Sequence, residues 1–272
     1  MQKSISVIKI GGTEGVNFES LCSEIAERIQ LGEQLVIVHG GSKDANQLGT
    51  DLNYPPRFIT SPDGFTSRYT DAKTLEIFCM AVKGKVNTYL VSQLQQKGVN
   101  AFGLSGLDGK LMAAQRKKAI SSVENGKRKI IRDDFSGKIE QINSGILMWL
   151  LEQGMTPVIS PIAVSEAGEA LNVDADRAAA MVAGALKAEK LFLFTAVKGL
   201  MKNFPDETTL IPKLRVNDLD SAMHYAQGRM KKKVLGAKEA LAAGVKTVAI
   251  CDGRIEKPIT GALAGEATWI SA

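Results

Sequence analysis

Two pairs of glycines could each place backbone N–H groups beside an anion. Lys9-Ile10-Gly11-Gly12 closes the apolar run Ile5–Ile10, and His39-Gly40-Gly41-Ser42 follows the run Leu35–Val38. Where parallel strands end, N–H groups without flanking side chains and a lysine ammonium favour phosphate binding. Taken singly, paired glycines serve an ordinary strand-to-helix turn equally well. Two such turns beside one sheet predict a site that holds both ends of one reaction.

Short apolar runs alternate with longer segments of helical period along the whole chain. The runs that predict strands buried on both faces are Ile5–Ile10, Leu35–Val38, Pro157–Ser160, Leu191–Thr195 and Thr247–Cys251. Apolar residues at helical spacing predict helices over Phe18–Ile29, Asp71–Leu94, Lys138–Gln153, Asp174–Leu186 and Arg229–Ala243. This alternation predicts an α/β protein with a mainly parallel central sheet.

The stretch from residue 109 to residue 137 differs from this pattern. The basic clusters Arg116-Lys117-Lys118 and Lys127-Arg128-Lys129 lie on either side of Glu124-Asn125-Gly126. An Asn-Gly pair between two β-prone runs predicts a hairpin, which we expect to stand off the main sheet. Its charges are compatible with a solvated surface and with a docking surface for an acidic partner.

Composition excludes several classes of protein. The three cysteines form no CxxC pair and there are only two histidines among 272 residues, so neither a disulfide framework nor a Cys/His zinc site is supported. Met1-Gln2-Lys3 leads directly into the first strand, which predicts a cytoplasmic enzyme without a secretory or membrane segment. The net charge of +5 suits an anionic substrate or an acidic protein. No basic platform with interleaved aromatic residues supports nucleic-acid binding.

The two glycine turns resemble those of the amino acid kinase family, whose members share Lys-x-Gly-Gly on the first strand and Gly-Gly on the second. The chain has no GxxxxGK[ST] motif of the P-loop kinases. The resemblance extends over nearly the whole chain and implies a three-layer αβα sandwich of the carbamate-kinase type. It implies an acceptor-binding lobe at 1–170, with a dimer helix and the basic hairpin, and an ATP-binding lobe at 171–272 on the same continuous sheet.

A third motif concerns the acceptor. Ser67-Arg68-Tyr69-Thr70-Asp71 is similar to the family's Arg-x-Thr-Asp segment at the start of the long third helix. The resemblance implies that Arg68 binds the α-carboxylate of the acceptor amino acid, for which a guanidinium offers a bidentate fork. A surface ion pair between Arg68 and Asp71 is the structural alternative.

Two further motifs carry the residues that the resemblance implies are catalytic. Asn172-Val173-Asp174-Ala175-Asp176 is similar to the Asn-x-Asn-Ala-Asp segment of N-acetylglutamate kinases, in which the last residue orients two catalytic lysines. Gly228-Arg229-Met230-Lys231-Lys232-Lys233-Val234 resembles Gly-x-Met-x-x-Lys-Val. The implied catalytic residues are Lys9, Lys233 and Asp176. Asp174 stands where those kinases have Asn and is suited to cap its helix, whereas Lys231 and Lys232 are expected on a solvated face.

Phe194-Thr195-Ala196-Val197-Lys198-Gly199-Leu200 is similar to the family's turn beside the adenosine, although Ala196 replaces the usual Asp. The resemblance implies ATP and Mg²⁺ but no metal-ligating side chain. A carboxylate acceptor needs no general base, so positive charge from the two lysines and correct positioning would carry the reaction. The implied nucleotide-binding residues are Gly11, Gly12, Thr195, Gly199 and Leu200, and the implied acceptor-binding residues are Gly40, Gly41, Arg68 and Asn172.

Three segments are most similar to the family's kinases for aminoadipate carried by the protein LysW: Tyr54–Phe58, Gly103–Gly109 and Arg132–Gly137. This resemblance implies phosphorylation of the side-chain carboxylate of carried 2-aminoadipate or glutamate in lysine or arginine biosynthesis, with the basic hairpin docking the small acidic carrier. The alternatives are a free N-acetylglutamate kinase, a kinase-fold regulator without catalysis and a basic nucleic-acid-associated protein.

The resemblance also implies a homodimer, without arginine inhibition. The apolar stripe on the long third helix is the expected contact face, and an intramolecular core contact is the alternative for the same residues. The stripe consists of Leu75, Cys79, Val82 and Val86.

Overall fold

The structure is a computed structural model that describes residues 4–12, 14–62, 64, 66–124 and 127–272. Met1–Lys3, the Asn125-Gly126 pair and the side chain of Lys127 lie outside the described residues. The strands are β1 Ile5–Ile10, β2 Gln34–His39, β3 Phe58–Thr60, β4 Thr66–Arg68, β5 Ala101–Ser105, β6 Met112–Arg116, β7 Ile120–Glu124, β8 Lys127–Ile131, β9 Gly137–Ile142, β10 Thr156–Ser160, β11 Ile162–Val164, β12 Ala170–Asn172, β13 Lys190–Thr195, β14 Lys213–Arg215, β15 Thr247–Asp252 and β16 Ala267–Ser271.

The long third helix of the described chain contains a π-helical stretch. Residues Met80–Asn87 form it, and it joins α3 to α4 without a break. The α-helices are α1 Phe18–Gln30, α2 Ser42–Asp51, α3 Ala72–Cys79, α4 Thr88–Gln96, α5 Ser144–Glu152, α6 Ala175–Ala185, α7 Leu219–Ala222, α8 Met230–Ala242 and α9 Pro258–Leu263.

The main sheet confirms the mainly parallel arrangement. Its strand order is β14-β16-β15-β13-β1-β2-β10-β5, and each neighbouring pair is parallel except β15 with β16. All five strands predicted from the apolar runs lie in this sheet. Because β1 and β13 are direct neighbours, the first and last parts of the chain share one sheet.

Alternate residues of β1 enter different cores, which gives the molecule its three layers. Val7 packs on one face with residues of α5, α6 and α8, whereas Ile8 packs on the other face with residues of α1, α4 and α9. This alternation follows from the two-residue period of a strand. The parity places Lys9 on the same face as Val7, under α6 and α8.

A second sheet, β12-β11-β6-β9, corrects the predicted helix over Lys138–Gln153. Its first part is the strand β9, and only Ser144–Glu152 is helical. The register between β6 and β9 shifts so that Glu140 has no direct partner. A bulge of this kind brings Ile139 and Ile142, which are three residues apart, toward the same core. The spacing therefore resembled a helical period.

The hairpin prediction is confirmed in part. β7 and β8 pair antiparallel in a sheet of their own, with Glu124 opposite Lys127 around the Asn125-Gly126 position. Arg116, however, ends β6 and is bound into the fold, so its assignment to the hairpin was wrong. Its guanidinium donates to Asp134 O at 3.0 Å and covers the ring of Phe135 at 3.6 Å.

The apolar stripe expected to form a dimer contact is largely internal. Val82 and Val86 are buried within the chain, where they pack near Gly41, whereas Leu75 and Cys79 are half-buried. The intramolecular alternative is therefore correct for the two valines. In the part of the chain that the structure describes, no helix is both long enough and apolar enough to cross a membrane.

Candidate active site

Lys9, Asp176 and Lys233 meet at the carboxyl end of β1. Lys9 Nζ lies 2.7 Å from Asp176 Oδ1, and Lys233 Nζ lies 3.1 Å from both carboxylate oxygens. Each of the three side chains is almost fully buried. One carboxylate therefore holds two ammonium groups, and the structure brings together the three residues that the sequence assigned to catalysis.

Three separate elements position this triad. Lys9 points to the α6 and α8 face of the sheet, and Asp176 lies in the first turn of α6. Lys233 lies in the first turn of α8, which packs closely on α6. A Cβ on Gly236 would lie in ordinary van der Waals contact, 3.5 Å from the Asp176 carbonyl oxygen, so α8 passes close to the first turn of α6 at this position.

Burial and mutual charge shift the titration of the triad. Burial raises the pKa of Asp176, but the charges of Lys233 and Lys9 outweigh it and hold that pKa well below its usual range. Burial lowers the pKa of Lys233 to about 8, although the carboxylate of Asp176 opposes the change. The site therefore holds a permanent carboxylate and at least one lysine that is ready to lose its proton in mildly alkaline solution.

The two glycine turns touch each other. A Cβ added to Gly12 would lie 2.0 Å from Gly41 N, and one added to Gly40 would lie 2.7 Å from Gly12 N. Gly40 N donates to Ile10 O at 2.9 Å, and Lys43 N donates to Gly12 O at 3.0 Å. No side chain could be inserted between these segments without moving the backbone, so only glycine fits this approach.

Arg68 lies beside the second glycine turn. It is 9% exposed, and its Nη2 donates to Ser42 O at 3.3 Å. Asp71 instead caps α3 through Thr74 N and accepts from Tyr54, so the surface ion pair with Asp71 is not formed. Burial, together with the nearby charge of Arg229, lowers the pKa of Arg68 to about 10. A buried guanidinium beside a second cation is suited to an anionic ligand.

Asn172 joins this part of the site through Thr70. Its Nδ2 donates to Thr70 Oγ1 at 2.9 Å, and Thr70 Oγ1 donates to Arg68 O at 3.2 Å. Asp134 accepts from Thr70 N at 2.8 Å and so fixes the same segment. The structure thus brings together all the residues that the sequence assigned to the acceptor side.

The residues assigned to nucleotide binding differ in whether they already make contacts within the protein. Thr195 ends β13 next to the first glycine turn and is buried. Leu200 is committed to the fold, because its side chain is in the core and its N–H donates to Thr268 Oγ1 at 2.9 Å. A Cβ on Gly199 would lie 2.7 Å from the same Oγ1. Nucleotide contacts from Gly199 and Leu200 remain a prediction, and the contacts of Leu200 favour a structural role.

The three consecutive lysines at the start of α8 have different surroundings. Lys231 is exposed and Lys233 is buried in the triad, as expected. Lys232 is half-buried and lies 3.6 Å from Asp174, so it is not simply solvated. Asp174 accepts from the N–H groups of Asp176 and Arg177 and is therefore the cap of α6.

Sequence reasoning missed two residues beside the site. His39 is fully buried directly before Gly40, and its ring is hydrogen-bonded on both nitrogens. Arg229 is near enough to Arg68 for its charge to act on it. The sequence did hold a signal for each residue: His39 directly precedes the second glycine turn, and Arg229 lies within the Gly228–Val234 motif. Neither position alone indicates a direction for the side chain.

A sequence model of the amino acid kinase family matches residues 4–252. The chain belongs to the amino acid kinase family. Among curated family members, the [LysW]-aminoadipate kinase of Deinococcus radiodurans is 51% identical over 265 residues, which span 97% of this chain and 91% of that protein. The [LysW]-aminoadipate kinase of Thermus thermophilus is 46% identical over 266 residues, which span 97% of this chain and 99% of that one.

Solved structures show the same fold. N-acetylglutamate synthase from Neisseria gonorrhoeae superposes with a TM-score of 0.80 at 25% identity, over 99% of this chain and 59% of that one. Giardia carbamate kinase superposes with a TM-score of 0.70 at 15% identity, over 100% and 99% of the two chains. The amino acid kinase family and the kinase names of its relatives identify this protein as an ATP-dependent phosphotransferase with a carboxyl group as acceptor.

Proposed function

We propose that this amino acid kinase transfers the γ-phosphoryl group of ATP to the side-chain carboxylate of 2-aminoadipate, or of glutamate, whose amino group is blocked by the carrier protein LysW. The product is an acyl phosphate. The observation that carries the proposal is the end-to-end identity of 51% and 46% with two [LysW]-aminoadipate kinases. The Lys9-Asp176-Lys233 triad supplies a chemical site for the transfer.

The triad is suited to this reaction because the transfer needs charge neutralisation more than proton transfer. A carboxylate is already a nucleophile at neutral pH. Negative charge on the transferring phosphoryl group attracts the ammonium groups of Lys9 and Lys233, which are held in place before the substrate arrives. Asp176 keeps both lysines in one geometry, so their orientation does not have to be found during the reaction.

The glycine turns are proposed to donate N–H groups to the phosphates and to the acceptor, with Gly11 and Gly12 on the nucleotide side and Gly40 and Gly41 on the acceptor side. Arg68 would bind the acceptor α-carboxylate. Mg²⁺ would neutralise charge on the β- and γ-phosphates. The described residues contain no group of three or more His, Cys, Asp or Glu side chains able to hold a metal.

The two lobes are proposed to follow the sequence, with acceptor binding in residues 1–170 and ATP binding in residues 171–272. Arg68 and the second glycine turn belong to the first part, and Thr195 belongs to the second. The triad crosses the boundary, since Lys9 comes from the first part and both its partners come from the second. This division places the transfer where the two parts of the chain meet.

The basic hairpin is proposed to dock the acidic carrier. Lys118 and Arg128 are exposed, and Ile130 beside them is 59% exposed. Lys117 lies nearer the triad than its position in the sequence suggests. Its side chain is exposed, but desolvation by neighbouring groups lowers its pKa, and the charges of Asp134, Lys232 and Asp174 also act on it. Lys117 is thus within electrostatic reach of the first turns of α6 and α8. A carrier attracted by Lys117, Lys118 and Arg128 would dock on this side of the molecule.

Two further properties belong to the proposal. A cytoplasmic, reducing location is supported by the three free cysteines, Cys22, Cys79 and Cys251. A role in arginine as well as lysine biosynthesis would follow if carried glutamate is an acceptor. A homodimer is considered below at the scale of the whole molecule.

The test is a comparison of acceptors for the purified protein with Mg²⁺ and ATP. Acyl phosphate trapped by hydroxylamine would be measured with aminoadipate on LysW, glutamate on LysW, free N-acetylglutamate and LysW without an attached amino acid. We expect product from at least one of the two loaded carriers and little from N-acetylglutamate or the empty carrier. Lys9→Ala is the matched inactive protein. Efficient turnover of N-acetylglutamate without turnover of either loaded carrier would refute the proposal and favour the acetylglutamate alternative.

A further inference from the structure

His39 and Asn87 form a buried hydrogen-bonded pair beneath the second glycine turn. His39 Nδ1 lies 2.7 Å from Gly40 O, and Asn87 Nδ2 lies 3.0 Å from His39 Nε2 and 2.8 Å from Val158 O. The two side chains are 0% and 2% exposed. Neither residue belongs to the Lys9-Asp176-Lys233 triad.

These contacts permit only one neutral form of the imidazole. A carbonyl oxygen can only accept, so Nδ1 must carry the proton that points to Gly40 O. The amide nitrogen of Asn87 can only donate, so Nε2 must be unprotonated. Burial lowers the pKa of His39 to about 4, with the charges of Lys83 and Lys9 adding to the effect. The ring is therefore neutral at physiological pH, and Asn87 selects the tautomer that donates to the glycine turn.

The orientation of one peptide group follows from this hydrogen bond. In a trans peptide, the C=O of Gly40 and the N–H of Gly41 point in opposite directions. Because the C=O points to the buried imidazole, the N–H of Gly41 points away from it. Gly12 packs over the face of this peptide, since a Cβ on Gly12 would lie 2.0 Å from Gly41 N and 2.4 Å from the Gly40 carbonyl carbon. The hydrogen bond to His39 thus fixes the Gly41 N–H on the side of the turn opposite the buried imidazole.

The π-helical stretch Met80–Asn87 supplies the residues that contact His39 and the second glycine turn. Asn87 is its last residue, and Val82 and Val86 within it pack on the same turn. A Cβ on Gly41 would lie 2.7 Å from Val82 Cγ1 and 3.5 Å from Val86 Cγ2. One helical segment therefore contacts the turn through two valines and fixes the tautomer of the ring beneath it.

We propose that His39 and Asn87 are positioning residues that prevent the Gly40–Gly41 peptide from flipping, and that they thereby keep the Gly41 N–H aimed at the group undergoing phosphoryl transfer. Glycine on both sides makes such a flip sterically easy, because neither residue restricts the left-handed region. The proposal rests on the proposed function, which places the transfer between the two turns. It assigns no chemical step to the imidazole.

The kinetic test compares three substitutions of His39. His39→Leu removes the donor, His39→Asn places an amide N–H near the position of Nδ1, and His39→Gln places it near Nε2, away from Gly40 O. We expect His39→Leu and His39→Gln to lower kcat by roughly tenfold to a hundredfold, as for the loss of one preorganised donor. The KM for ATP should change little. His39→Asn should recover most of the lost kcat.

Leu90→Ala is the matched control for lost packing, because Leu90 is fully buried one turn beyond Asn87. It should lower the melting temperature without lowering kcat. Folded His39→Leu protein with normal kcat would overturn the proposal. Equal kcat for the Asn and Gln variants would also overturn it, and this comparison remains available if the Leu variant does not fold.

A spectroscopic measurement tests the tautomer without any substrate. The chain has only two histidines, so ¹⁵N-histidine spectra can be assigned with a His224→Gln variant. We expect His39 to show the Nδ1–H neutral tautomer, unchanged from neutral pH down to about pH 5, and Asn87→Leu to disturb it. A mixed or Nε2–H tautomer would overturn the proposal. Failure of the wild-type protein to phosphorylate a loaded carrier would refute the proposed function but leave this result intact.

Discussion

Asp176 stands between two buried ammonium groups, and its carboxylate is the anion that makes their approach possible. Two buried ammonium groups that share one carboxylate repel each other, so neither lysine is independent of the aspartate. The identities of all three residues could be predicted from motifs in the sequence. Their meeting on one face of the sheet could not be predicted. It depends on which face of β1 carries Lys9 and on the packing of α6 against α8.

Replacing Asp176 by Asn should therefore affect both stability and catalysis. The variant leaves two buried ammonium groups without a counter-charge, a change that typically destabilises by about 3–5 kcal/mol. We expect a large loss of stability in urea unfolding and a fall in kcat. Asp174→Asn is the matched control, because Asn also caps helices well and the residue is two positions away. Similar effects of both substitutions would contradict a special role for Asp176.

The lowered pKa of Lys233 makes a prediction about pH. A lysine normally titrates near 10.5, whereas in the folded protein Lys233 loses its proton near pH 8, because burial disfavours the charged form. Since the charged form is the one proposed to bind phosphate, kcat/KM for ATP should fall as the pH rises above about 8. The negative charge of bound ATP should raise the pKa of Lys233. The alkaline fall in the pH profile of kcat should therefore lie at higher pH than the alkaline fall in the profile of kcat/KM.

Lys233→Arg separates this titration from general alkaline inactivation. A guanidinium keeps its charge throughout the range, so the alkaline limb should disappear even if the absolute rate is lower. The measurement is a pH profile of initial rates for both proteins with a saturating acceptor. A limb at the same pH in the variant would assign the titration to another group.

At the scale of elements, apolar runs predicted five of the eight strands of the main sheet. Periodicity failed where a second sheet competes with helix. The spacing of Ile139 and Ile142 is compatible with both, and the bulge opposite β6 decided for a strand. The π-helical stretch was equally inaccessible, since the apolar stripe of that helix reads as an ordinary α-helix. The π-helical stretch matters here because it contains Asn87 and the two valines that contact Gly41.

The hairpin is the element whose function is most easily separated from catalysis. Lys118→Glu with Arg128→Glu should raise the KM for loaded carrier several-fold and weaken its dependence on salt, because attraction between exposed opposite charges is screened over about 10 Å at 0.1 M salt. The kcat should barely change. Arg116 is excluded from this variant because its contacts with Asp134 and Phe135 hold the fold.

A matched double reversal on another part of the surface controls for net charge. Lys213→Glu with Arg215→Glu alters β14, at the far edge of the main sheet, where both residues are exposed. This variant should keep the wild-type KM for the carrier at each salt concentration. Equal changes in both variants would show that net charge alone steers the carrier, and no change in either would place docking elsewhere.

At the scale of the molecule, one sheet joins the proposed acceptor and nucleotide parts, and its two edges differ. At one edge β14 is short, whereas at the other β5 ends the sheet among the described strands. Large apolar side chains are exposed around β5: Phe102 on the strand itself, and Met80 and Tyr89 on the long helix that packs beside it. An edge strand with exposed apolar neighbours is a surface that proteins usually cover.

We therefore predict a homodimer that covers β5 and the outer side of the long helix, rather than the valine stripe expected from the sequence. The wild-type protein should have twice the chain mass in light scattering at micromolar concentration.

Phe102→Lys with Tyr89→Lys should yield monomers, because two charges would be buried at the contact. Phe204→Lys, at a residue that is 50% exposed on the nucleotide side, should leave the mass unchanged. A monomeric wild type would refute the dimer, and a dimeric double variant would move its contact to another face. Since Val82 and Val86 connect the same helix to the Gly41 turn, a monomeric variant with lowered kcat would further show that the contact supports the active site from outside.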